Sequence, residues 1–374
     1  MTAGLPIRPL FIAPFGELGG SEMVMQRIVR GLDERFEPRA LVLTPGALAE
    51  RLRQAGVPTG VERLPGKQGL LRMPAVARRQ VRALRGERIS FIHANQAKAA
   101  ILGAMLAPRL GVPLLWMKHD HVFDGRPSLA LASRCDRVVC VSRAMAAQFE
   151  PRLGDRVSVA YPGVAVPAAV APLPDRLHVV SVGRLDPAKG SVELLEAVAA
   201  LRGRGIDARV TIAGPEDRMF QEHGGELREL AARLGLADHS TIGWVDDLDE
   251  LYASASVVAL ASRARPGGAP SEGAPTVLME AMAHGRPVVA PREAGITEVV
   301  GDAGALVEPR SAEGFAAALE PYLVDRALAE EAGRRGRERA ERVFSLERTI
   351  ETMTSIYLEL SAAGSRPRRG RAGA

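Results

Sequence analysis

Short apolar runs alternate with amphipathic helical stretches along almost the whole of this 374-residue chain. Most of the runs are apolar at every position, which is typical of parallel strands that are covered on both faces. A strand, a helix and a strand repeated this often predict a doubly wound α/β fold. The predicted strands lie at 8–15, 39–45, 60–65, 89–95, 113–120, 137–142, 157–163, 177–185, 208–214, 240–245, 257–262, 287–291 and 305–309.

One segment without amphipathic periodicity separates two sets of predicted strands. Residues 162–176 read PGVAVPAAVAPLPDR, and this richness in proline and alanine is typical of a linker. The chain is long enough for two domains with separate cores. We therefore expect two Rossmann-like doubly wound domains that face a cleft, an N-terminal domain at 1–165 and a C-terminal domain at 166–345. The basic tail at 365–374 is predicted to be disordered.

The composition excludes several classes of protein. The longest apolar run, at 99–108, is too short to span a bilayer. The N-terminus lacks the pattern of a secretory signal, so we expect a cytoplasmic protein. Cys135 and Cys140 do not have metal-ligand spacing, and we interpret them as buried reduced thiols. Aromatic residues make up only 4% of the chain and no nucleic-acid-binding motif occurs, so no nucleic-acid partner is expected.

Positive charge is concentrated in the first half of the chain. Residues 67–88 place arginines at helical spacing opposite an apolar stripe. The arginines are Arg78, Arg79, Arg82 and Arg85, and the stripe is Leu70, Ala77, Val81 and Leu84. Two interpretations stay open: a basic amphipathic helix that lies on an anionic membrane, or a sheet-covering helix with a solvated arginine face.

The stretch SEGAPTVLMEAMAHG, at 271–285, contains two glutamates in an otherwise small and apolar segment. It follows a predicted strand, and a helix is predicted from about Pro275 to His284. Ligands of open α/β sheets bind at the carboxyl ends of strands, and a helix N-terminus favours an anion such as phosphate. As acceptors, Glu272 and Glu280 suit sugar and ribose hydroxyls. Alternatively, Glu280 pairs with a buried arginine and Glu272 is a solvated loop charge.

The stretch SVGRLDPAKG, at 181–190, presents two cations in the loop after another predicted strand. Arg184 and Lys189 are well placed to bind a diphosphate, the arginine in a bidentate way and the lysine as a point charge. Lys189 is one of only four lysines in the chain. The alternative is a pair of solvated loop cations.

These two stretches together contain E-G-x-P-x-x-x-x-E preceded by G-R-L-x-x-x-K-G. In this the chain resembles the family-4 glycosyltransferases, a retaining family of the two-domain GT-B fold. Similar stretches follow in order over nearly the whole chain: FGELGGSE (15–22), IAGPED (212–217), GWVDDLDELYASASVVALAS (243–262) and GITEVVGDAGALVEP (295–309). FGELGG lacks the G-x-G-x-x-G spacing of dinucleotide-dependent oxidoreductases.

The resemblance implies a nucleotide-diphosphate sugar as donor and no further cofactor. It implies that Glu272 contacts the donor sugar, that Glu280 contacts the ribose, and that Arg184 and Lys189 hold the diphosphate. The backbone of Gly19 and Gly20 would approach the same phosphates, with Ser21 and Glu22 resembling a helix cap. The full set of expected donor-binding positions is Gly19, Gly20, Arg184, Lys189, Glu272, Gly273, Ala274, Pro275, Thr276 and Glu280.

The stretch LLWMKHDHVFDG, at 114–125, ends a predicted strand with two histidines. Members of the family commonly have a histidine here, near the donor sugar. His119 is the expected catalytic residue, together with Arg184, Lys189 and Glu272, while Asp120 and His121 are alternatives. A histidine that merely packs at a strand end is the other interpretation, and His93 is expected to be structural.

The resemblance implies transfer with retention, in which the leaving phosphate takes the acceptor's proton and no metal is needed. The motif D-x-D at Asp247 and Asp249 is the argument for a metal, although acidic residues are also favoured at a helix start. A nucleotide-sugar epimerase and a non-catalytic sugar-nucleotide-binding protein are the alternative functions. Release of nucleoside diphosphate only when acceptor is present would separate transfer from both.

The donor and the acceptor are left partly open. Neither UDP nor GDP is favoured, and the long loop at 263–270 and Ala274 depart from the family pattern near the donor sugar. By resemblance, we expect a glycan or lipid-linked acceptor, cell-surface polysaccharide or glycolipid synthesis, and peripheral attachment to the inner face of the plasma membrane. A C-terminal helix at about 346–361 is expected to pack back on the first domain.

Overall fold

The structure is a computed structural model that describes residues 5–64, 68–121, 123–217, 219–264 and 272–364. The chain divides into two compact units. The first unit runs to Gly163 and includes the C-terminal segment from Glu347, and the second comprises Val164–Leu346. The tail at 365–374 and most of the long loop, 265–270, lie outside the described residues.

The first unit is built on a sheet of parallel strands. The strands are β1 (Pro9–Ala13), β2 (Arg39–Val42), β3 (Thr59–Val61), β4 (Phe91–Asn95), β5 (Leu114–Lys118), β6 (Arg137–Cys140) and β7 (Val157–Val159). Their order is β3-β2-β1-β4-β5-β6-β7. The helices are α1 (Gly20–Gly31), α2 (Ala47–Gln54), α3 (Gln68–Leu84), α4 (Gln96–Leu110), α5 (Arg126–Ala132), α6 (Arg143–Ala146) and α7 (Glu150–Leu153). The strand order reverses between β1 and β4, so the loops after these strands diverge and leave a crevice at that edge of the sheet.

The second unit repeats the same architecture. Its strands are β8 (His178–Val182), β9 (Arg209–Ala213), β10 (Ser240–Gly243), β11 (Val257–Ala259), β12 (Val288–Pro291) and β13 (Ala305–Val307). Their order is β10-β9-β8-β11-β12-β13, again all parallel. The helices are α8 (Ser191–Gly203), α9 (His223–Arg233), α10 (Leu248–Ala253), α11 (Thr276–Ala283), α12 (Ala294–Val300), α13 (Ala312–Val324) and α14 (Arg326–Arg339), followed by a π-helical turn at Ala340–Phe344. Here the order reverses between β8 and β11.

The prediction of two Rossmann-like doubly wound domains is confirmed. Each predicted strand overlaps one observed strand. Most are runs of buried apolar residues, as a strand covered on both faces requires, whereas β3, β7 and β10 lie at the sheet edges and are partly exposed. In β1, β4 and β5, for example, all five residues of each strand are buried.

The last helix, α15 (Leu346–Gly364), packs against the first sheet through Tyr357. The ring of Tyr357 is fully buried and lies 5.0 Å from the ring of Phe91 and 6.0 Å from that of Phe11, between centroids. Its hydroxyl is 2.7 Å from Nδ1 of His93, which is also fully buried. Burial lowers the pKa of His93 to about 3, so the imidazole is neutral. His93 therefore anchors the final helix to β4.

The chain enters and leaves the second unit at one place. The N–H of Val164 donates to the carbonyl of Phe344 over 2.9 Å, and the N–H of Leu346 donates to the carbonyl of Val164 over 3.0 Å. The second unit is therefore an insertion whose two ends pair with each other.

A buried arginine fastens the segment at 162–176 to the second unit. Arg286, only 1% exposed, donates hydrogen bonds to the carbonyls of Ala171, Pro172 and Ala255. The distances are 3.3 Å to Pro172 and to Ala255. Arg286 thus satisfies two backbone acceptors in the segment that joins the two units and one in the second unit itself.

Both cysteines are free and buried. Burial raises the pKa of Cys135 and that of Cys140 to about 12, which keeps both thiols protonated and unreactive.

Candidate functional site

The reversal between β8 and β11 brings the two predicted motifs of the second unit together. The loop after β8 carries Arg184 and Lys189, and Ser262 follows β11. Gly190 makes this approach feasible, because it has φ +69° and a Cβ there would lie 1.9 Å from the carbonyl oxygen of Ala261. Glycine is the residue that fits such a contact in this conformation.

Lys189 and Glu272 form an ion pair at this edge of the sheet. Nζ of Lys189 lies 2.5 Å from Oε1 of Glu272, and the hydroxyl of Ser262 donates to the same oxygen over 2.7 Å. The Lys189 side chain is 24% exposed and that of Glu272 is 14% exposed. The structure thus joins two residues that the sequence assigned to different parts of one ligand. Ser262, the last residue of the stretch ALAS, was not predicted.

Arg184 is oriented by two carboxylates. It forms an ion pair with Asp217, which is 6% exposed, and lies 3.5 Å from Asp186. The carboxylate of Asp186 also accepts the N–H of Ala188 over 2.8 Å, which shapes the short turn before Lys189. Arg184 itself remains half exposed and is available to an anion. Asp217 was missed as a site residue, although it lies in IAGPED.

The helix α11 begins directly after the site. Pro275 occupies the N-cap position, one residue before the start of the helix at Thr276, and not the first turn as predicted. Gly285 ends the helix with φ +67°. Gly273 and Ala274 form the bend between Glu272 and the helix. The first N–H groups of α11 therefore come only a few residues after Glu272, the acidic partner of Lys189.

Glu280 contacts a buried tyrosine. The hydroxyl of Tyr252 donates to Oε2 of Glu280 over 3.2 Å, and Tyr252 is 1% exposed. The Tyr252 ring lies 5.1 Å from that of His284, whose Nδ1–H donates to the carbonyl of Glu280 over 2.8 Å. Tyr252 was not predicted, because nothing in its local sequence connects it to a residue 28 positions away.

The D-x-D motif has structural contacts. The carboxylate of Asp247 caps α10 by accepting the N–H of Glu250 over 2.9 Å, and Asp249 lies 3.2 Å from Nε2 of His284. Asp246 accepts from the indole N–H of Trp244 over 2.7 Å. Within the described ranges, no group of three or more histidine, cysteine or acidic residues is arranged to hold a metal ion.

The first unit carries its own polar cluster where the strand order reverses. The helix α1 begins at Gly20 with Gly19 as its N-cap, so the prediction of Ser21 as a cap residue is wrong by two residues. Ser21 and Glu22 lie inside the first turn, and the Ser21 hydroxyl donates to Oε2 of Glu22 over 2.7 Å. Glu22 reaches back to the N–H of Gly19, as the glutamate of a capping box does.

Glu22 is only 3% exposed. Burial raises its pKa to about 7, hydrogen bonds from Ser21 and from backbone N–H groups oppose this shift, and the charge of Asp120 adds to it. Asp120 is therefore near enough to Glu22 for its negative charge to act on that carboxyl. A carboxyl that titrates near neutrality could not be predicted from local patterns, because its raised pKa depends on burial.

His119 follows β5 and is held by β4. Its Nε2 lies 2.7 Å from Oδ1 of Asn95, and the amide Nδ2 of Asn95 donates to the carbonyl of Ser21 over 3.2 Å. The His119 side chain is partly exposed. Desolvation by the surrounding protein nevertheless lowers its pKa to about 3, so the ring is neutral. Asn95, fully buried, was missed, although it belongs to the stretch FIHAN.

His121, the alternative to His119, has different partners. Its Nδ1 lies 2.9 Å from Oδ2 of Asp124, and the buried Lys118 reaches Oδ1 of the same carboxylate over 2.7 Å. The two histidines therefore belong to separate networks, one connected to α1 and one within the segment after β5.

Arg78, Arg79 and Arg82 are exposed on the basic helix α3, and the fourth predicted arginine, Arg85, is exposed in the turn that follows it. The residues that face the protein are Met73, Val76, Ala77 and Val81. Leu70 was expected in this apolar stripe, but it is 41% exposed, and Leu71 beside it is 86% exposed. They lie two and three residues before Met73, where the buried stripe begins, so the start of the helix presents leucines to solvent. No helix in the described part of the chain is long and apolar enough to cross a membrane.

Comparisons with known proteins agree with this architecture. The family model for Glycosyltransferase Family 4 matches residues 18–166, and the model for Glycosyl transferases group 1 matches residues 176–325. The D-inositol 3-phosphate glycosyltransferase of Salinispora tropica is 28% identical over 96% of this chain and 85% of that protein. The GDP-mannose-dependent alpha-(1-6)-phosphatidylinositol monomannoside mannosyltransferase of Mycobacterium tuberculosis is 35% identical over 54% of this chain and 56% of its own length.

A similar solved structure is that of Anabaena HepE in complex with UDP and glucose. It superimposes with a TM-score of 0.79 at 23% identity, and the match covers 94% of this chain and 99% of HepE. At this identity the likeness establishes the fold, which is GT-B.

Proposed function

Because the chain belongs to the family-4 glycosyltransferases, glycosyl transferases group 1, we propose that it moves a hexose from a nucleotide-diphosphate sugar to a glycan or lipid-linked acceptor, with retention at the anomeric carbon. The observation that carries the proposal is the Lys189–Glu272 ion pair. It joins a phosphate-binding cation and a hydroxyl-binding carboxylate at the switch point of one sheet.

In this proposal the second unit holds the donor. Arg184 and Lys189 bind the diphosphate, and the N–H groups at the start of α11 contribute partial positive charge. Glu272 accepts a hydroxyl of the hexose. Glu280, which Tyr252 holds in place, accepts a hydroxyl of the ribose.

The chemical step breaks the bond between the anomeric carbon and the phosphate oxygen and forms a bond from that carbon to the acceptor oxygen on the same face. The acceptor's proton passes to the leaving diphosphate. Arg184 and Lys189 stabilise the negative charge that develops on the diphosphate. Since these cations and the helix N-terminus supply the positive charge, we expect transfer to proceed in the presence of EDTA.

The relatives support a glycolipid or cell-surface polysaccharide acceptor. One is named for an inositol phosphate and another for a phosphatidylinositol mannoside. Their donors differ from that of the solved neighbour: the mycobacterial relative is named for GDP-mannose, whereas HepE was crystallised with UDP and glucose. UDP-sugars and GDP-sugars are therefore both donor candidates.

The first experiment is a thermal-shift series with UDP, GDP and ADP, each with and without EDTA, on the wild type and Glu280→Ala. A ligand at 100 times its dissociation constant should add about 2.7 kcal/mol of stability. We expect one nucleotide to stabilise the wild type, to do so in EDTA, and to lose part of its effect in Glu280→Ala. Stabilisation that requires a metal would instead favour a metal site at Asp247 and Asp249.

The second experiment tests transfer itself. Nucleoside diphosphate should be released from the matching sugar nucleotide only when a glycan or lipid-linked acceptor is added. The product's anomeric configuration, measured by the proton coupling constant, should equal that of the donor. Conversion of the donor sugar without acceptor would indicate an epimerase, and binding without turnover would indicate a non-catalytic protein.

We also propose peripheral attachment of the first unit to the cytoplasmic face of an anionic membrane through α3. Its exposed arginines and the exposed Leu70 and Leu71 support this. Two arginines near an anionic surface contribute about 1 kcal/mol each, so Arg78→Gln/Arg82→Gln should weaken binding to phosphatidylserine vesicles roughly thirtyfold.

The matched control for α3 is Arg335→Gln/Arg342→Gln, which removes the same charge from exposed positions of the second unit. It should leave vesicle binding unchanged. Equal losses in the two variants, or binding to neutral vesicles as well, would show that α3 is only a sheet-covering helix.

A further inference from the structure

Asn95 connects the start of α1 to His119. It is the last residue of β4 and has no exposed surface. Its Nδ2 lies 3.2 Å from the backbone carbonyl of Ser21, and its Oδ1 lies 2.7 Å from Nε2 of His119. A carbonyl only accepts hydrogen bonds, so the amide must turn its NH₂ group toward Ser21 and its oxygen toward His119.

The orientation of this amide determines where the proton of His119 sits. The amide oxygen can only accept, so Nε2 of His119 must carry the hydrogen. A neutral imidazole has one N–H, and Nδ1 is then an acceptor. Within the part of the chain that the structure describes, Nδ1 of His119 has no hydrogen-bond donor.

The neighbouring residues hold Ser21 in place. Its hydroxyl receives a hydrogen bond from the amide of Gln96 and donates one to Glu22. Gln96 has φ +66°, a strained conformation for a residue other than glycine, and it turns the chain from β4 into α4 directly after Asn95. These contacts hold the Ser21 carbonyl in one position, where it accepts the hydrogen bond from the Asn95 amide.

We propose that Asn95 is a positioning residue that holds His119 as the Nε2–H tautomer and so presents Nδ1 as an acceptor for a hydroxyl of the transferred hexose. The role of His119 in this inference rests on the proposed function. A sugar hydroxyl can donate to a lone pair, whereas the opposite tautomer would present an N–H there. His121 has the reverse arrangement, since Asp124 accepts from its Nδ1.

The test is a long-range ¹H–¹⁵N NMR spectrum of the full chain at pH 7.5. The chain has seven histidines, and the His119→Gln variant identifies the signals of His119. The wild type should show a protonated Nε2 and an unprotonated Nδ1. Asn95→Asp should keep this tautomer, because a carboxylate also accepts from Nε2–H, whereas Asn95→Leu should give a mixture.

Binding supplies a second readout. Asn95→Leu should weaken affinity for the nucleotide sugar about fivefold to tenfold, as expected for one hydrogen bond, and leave affinity for the nucleoside diphosphate unchanged. A merely structural role would weaken both. A protonated Nδ1 in the wild type, or an unchanged tautomer in Asn95→Leu, would overturn the proposal.

The tautomer of His119 and the binding of a sugar nucleotide are decided by different measurements. If Asn95→Leu does not fold, the wild-type and Asn95→Asp spectra still decide the tautomer. If the wild type binds no sugar nucleotide, the proposed function fails, while the tautomer is judged by NMR alone.

Discussion

Nζ of Lys189 and Oε1 of Glu272 lie 2.5 Å apart across 83 positions of sequence. The carboxylate compensates the lysine charge while no anion is bound. A diphosphate that binds Lys189 must therefore compete with Glu272, and a sugar hydroxyl that donates to Glu272 relieves this competition. We therefore propose that the pair favours a ligand that brings both groups.

Substitutions of the two partners should change nucleotide affinity in opposite directions: loss of Lys189 lowers it and loss of the Glu272 charge raises it. Lys189→Met should lower the affinity for the matching nucleoside diphosphate tenfold or more, because a hydrogen bond to a charged group contributes about 1.5–3 kcal/mol. Glu272→Gln should raise it severalfold, because a negative charge beside the phosphates is removed. Isothermal titration calorimetry measures both.

The control for this pair is Glu308→Gln, which removes an exposed carboxylate of the same unit. It should leave the affinity unchanged. Weaker binding in Glu272→Gln, similar to that of Lys189→Met, would mean that the ion pair orients the lysine and does not compete with the ligand.

Glu22 should make the first unit less stable as the pH rises. Its pKa is about 7 in the folded protein and 4.5 in the unfolded chain, so the folded state holds the proton more tightly. The stabilisation is complete below pH 4.5 and is lost as the pH passes through 7. Glu22→Gln, which mimics the protonated form, should gain about 2 kcal/mol relative to the wild type between pH 5 and pH 8.

The buried Trp116 reports on the first unit in this experiment. Trp244, exposed in the second unit, is replaced by phenylalanine in both proteins so that fluorescence in urea follows Trp116 alone. The buried histidines titrate equally in both proteins and cancel in the difference. A difference between Glu22→Gln and the wild type that does not vary with pH would show that Glu22 is ionised throughout.

Tyr357→Phe should destabilise the first unit while keeping the ring contacts with the sheet. Nδ1 of the buried His93 loses its partner, and an unsatisfied buried polar group costs about 1–3 kcal/mol. The same Trp116 signal measures this loss. Tyr322→Phe, in the second unit, should leave the Trp116 transition in place. An unchanged transition in Tyr357→Phe would contradict the anchoring role of His93.

Arg286→Met should loosen the joining segment. Methionine fills a similar length but leaves the carbonyls of Ala171, Pro172 and Ala255 without their donor, at a cost of roughly 3 kcal/mol or more. Limited proteolysis should then cleave near residue 171 faster than in the wild type. The exposed Arg292→Met is the matched control, and equal cleavage rates in both variants would refute the anchoring role.

The strands and the loops that follow them could be predicted from local sequence patterns. Continuous apolar runs gave the strands, and the glycine and proline positions gave the loops after β8 and β11. The predicted Arg184, Lys189 and Glu272 lie at one sheet edge because parallel strands all end on the same side.

The residues that orient these side chains could not be predicted from the sequence. Asp217, Tyr252 and Asn95 contact residues 33, 28 and 24 positions away, and those contacts depend on which strands are neighbours. The exposure of Leu70 has the same origin. The apolar spacing placed it in the buried stripe, but the stripe begins only where α3 meets the protein.

The pairing of Val164 with Phe344 and Leu346 has a consequence for how the chain is made. All of the second unit is synthesised before Tyr357 of α15, whose ring packs in the core of the first unit. We therefore expect the second unit to complete its fold before the first, the reverse of the usual order in which the N-terminal domain folds first during synthesis. On the ribosome, the ends of the second unit can pair and that unit can fold before the last helix of the first unit has been synthesised.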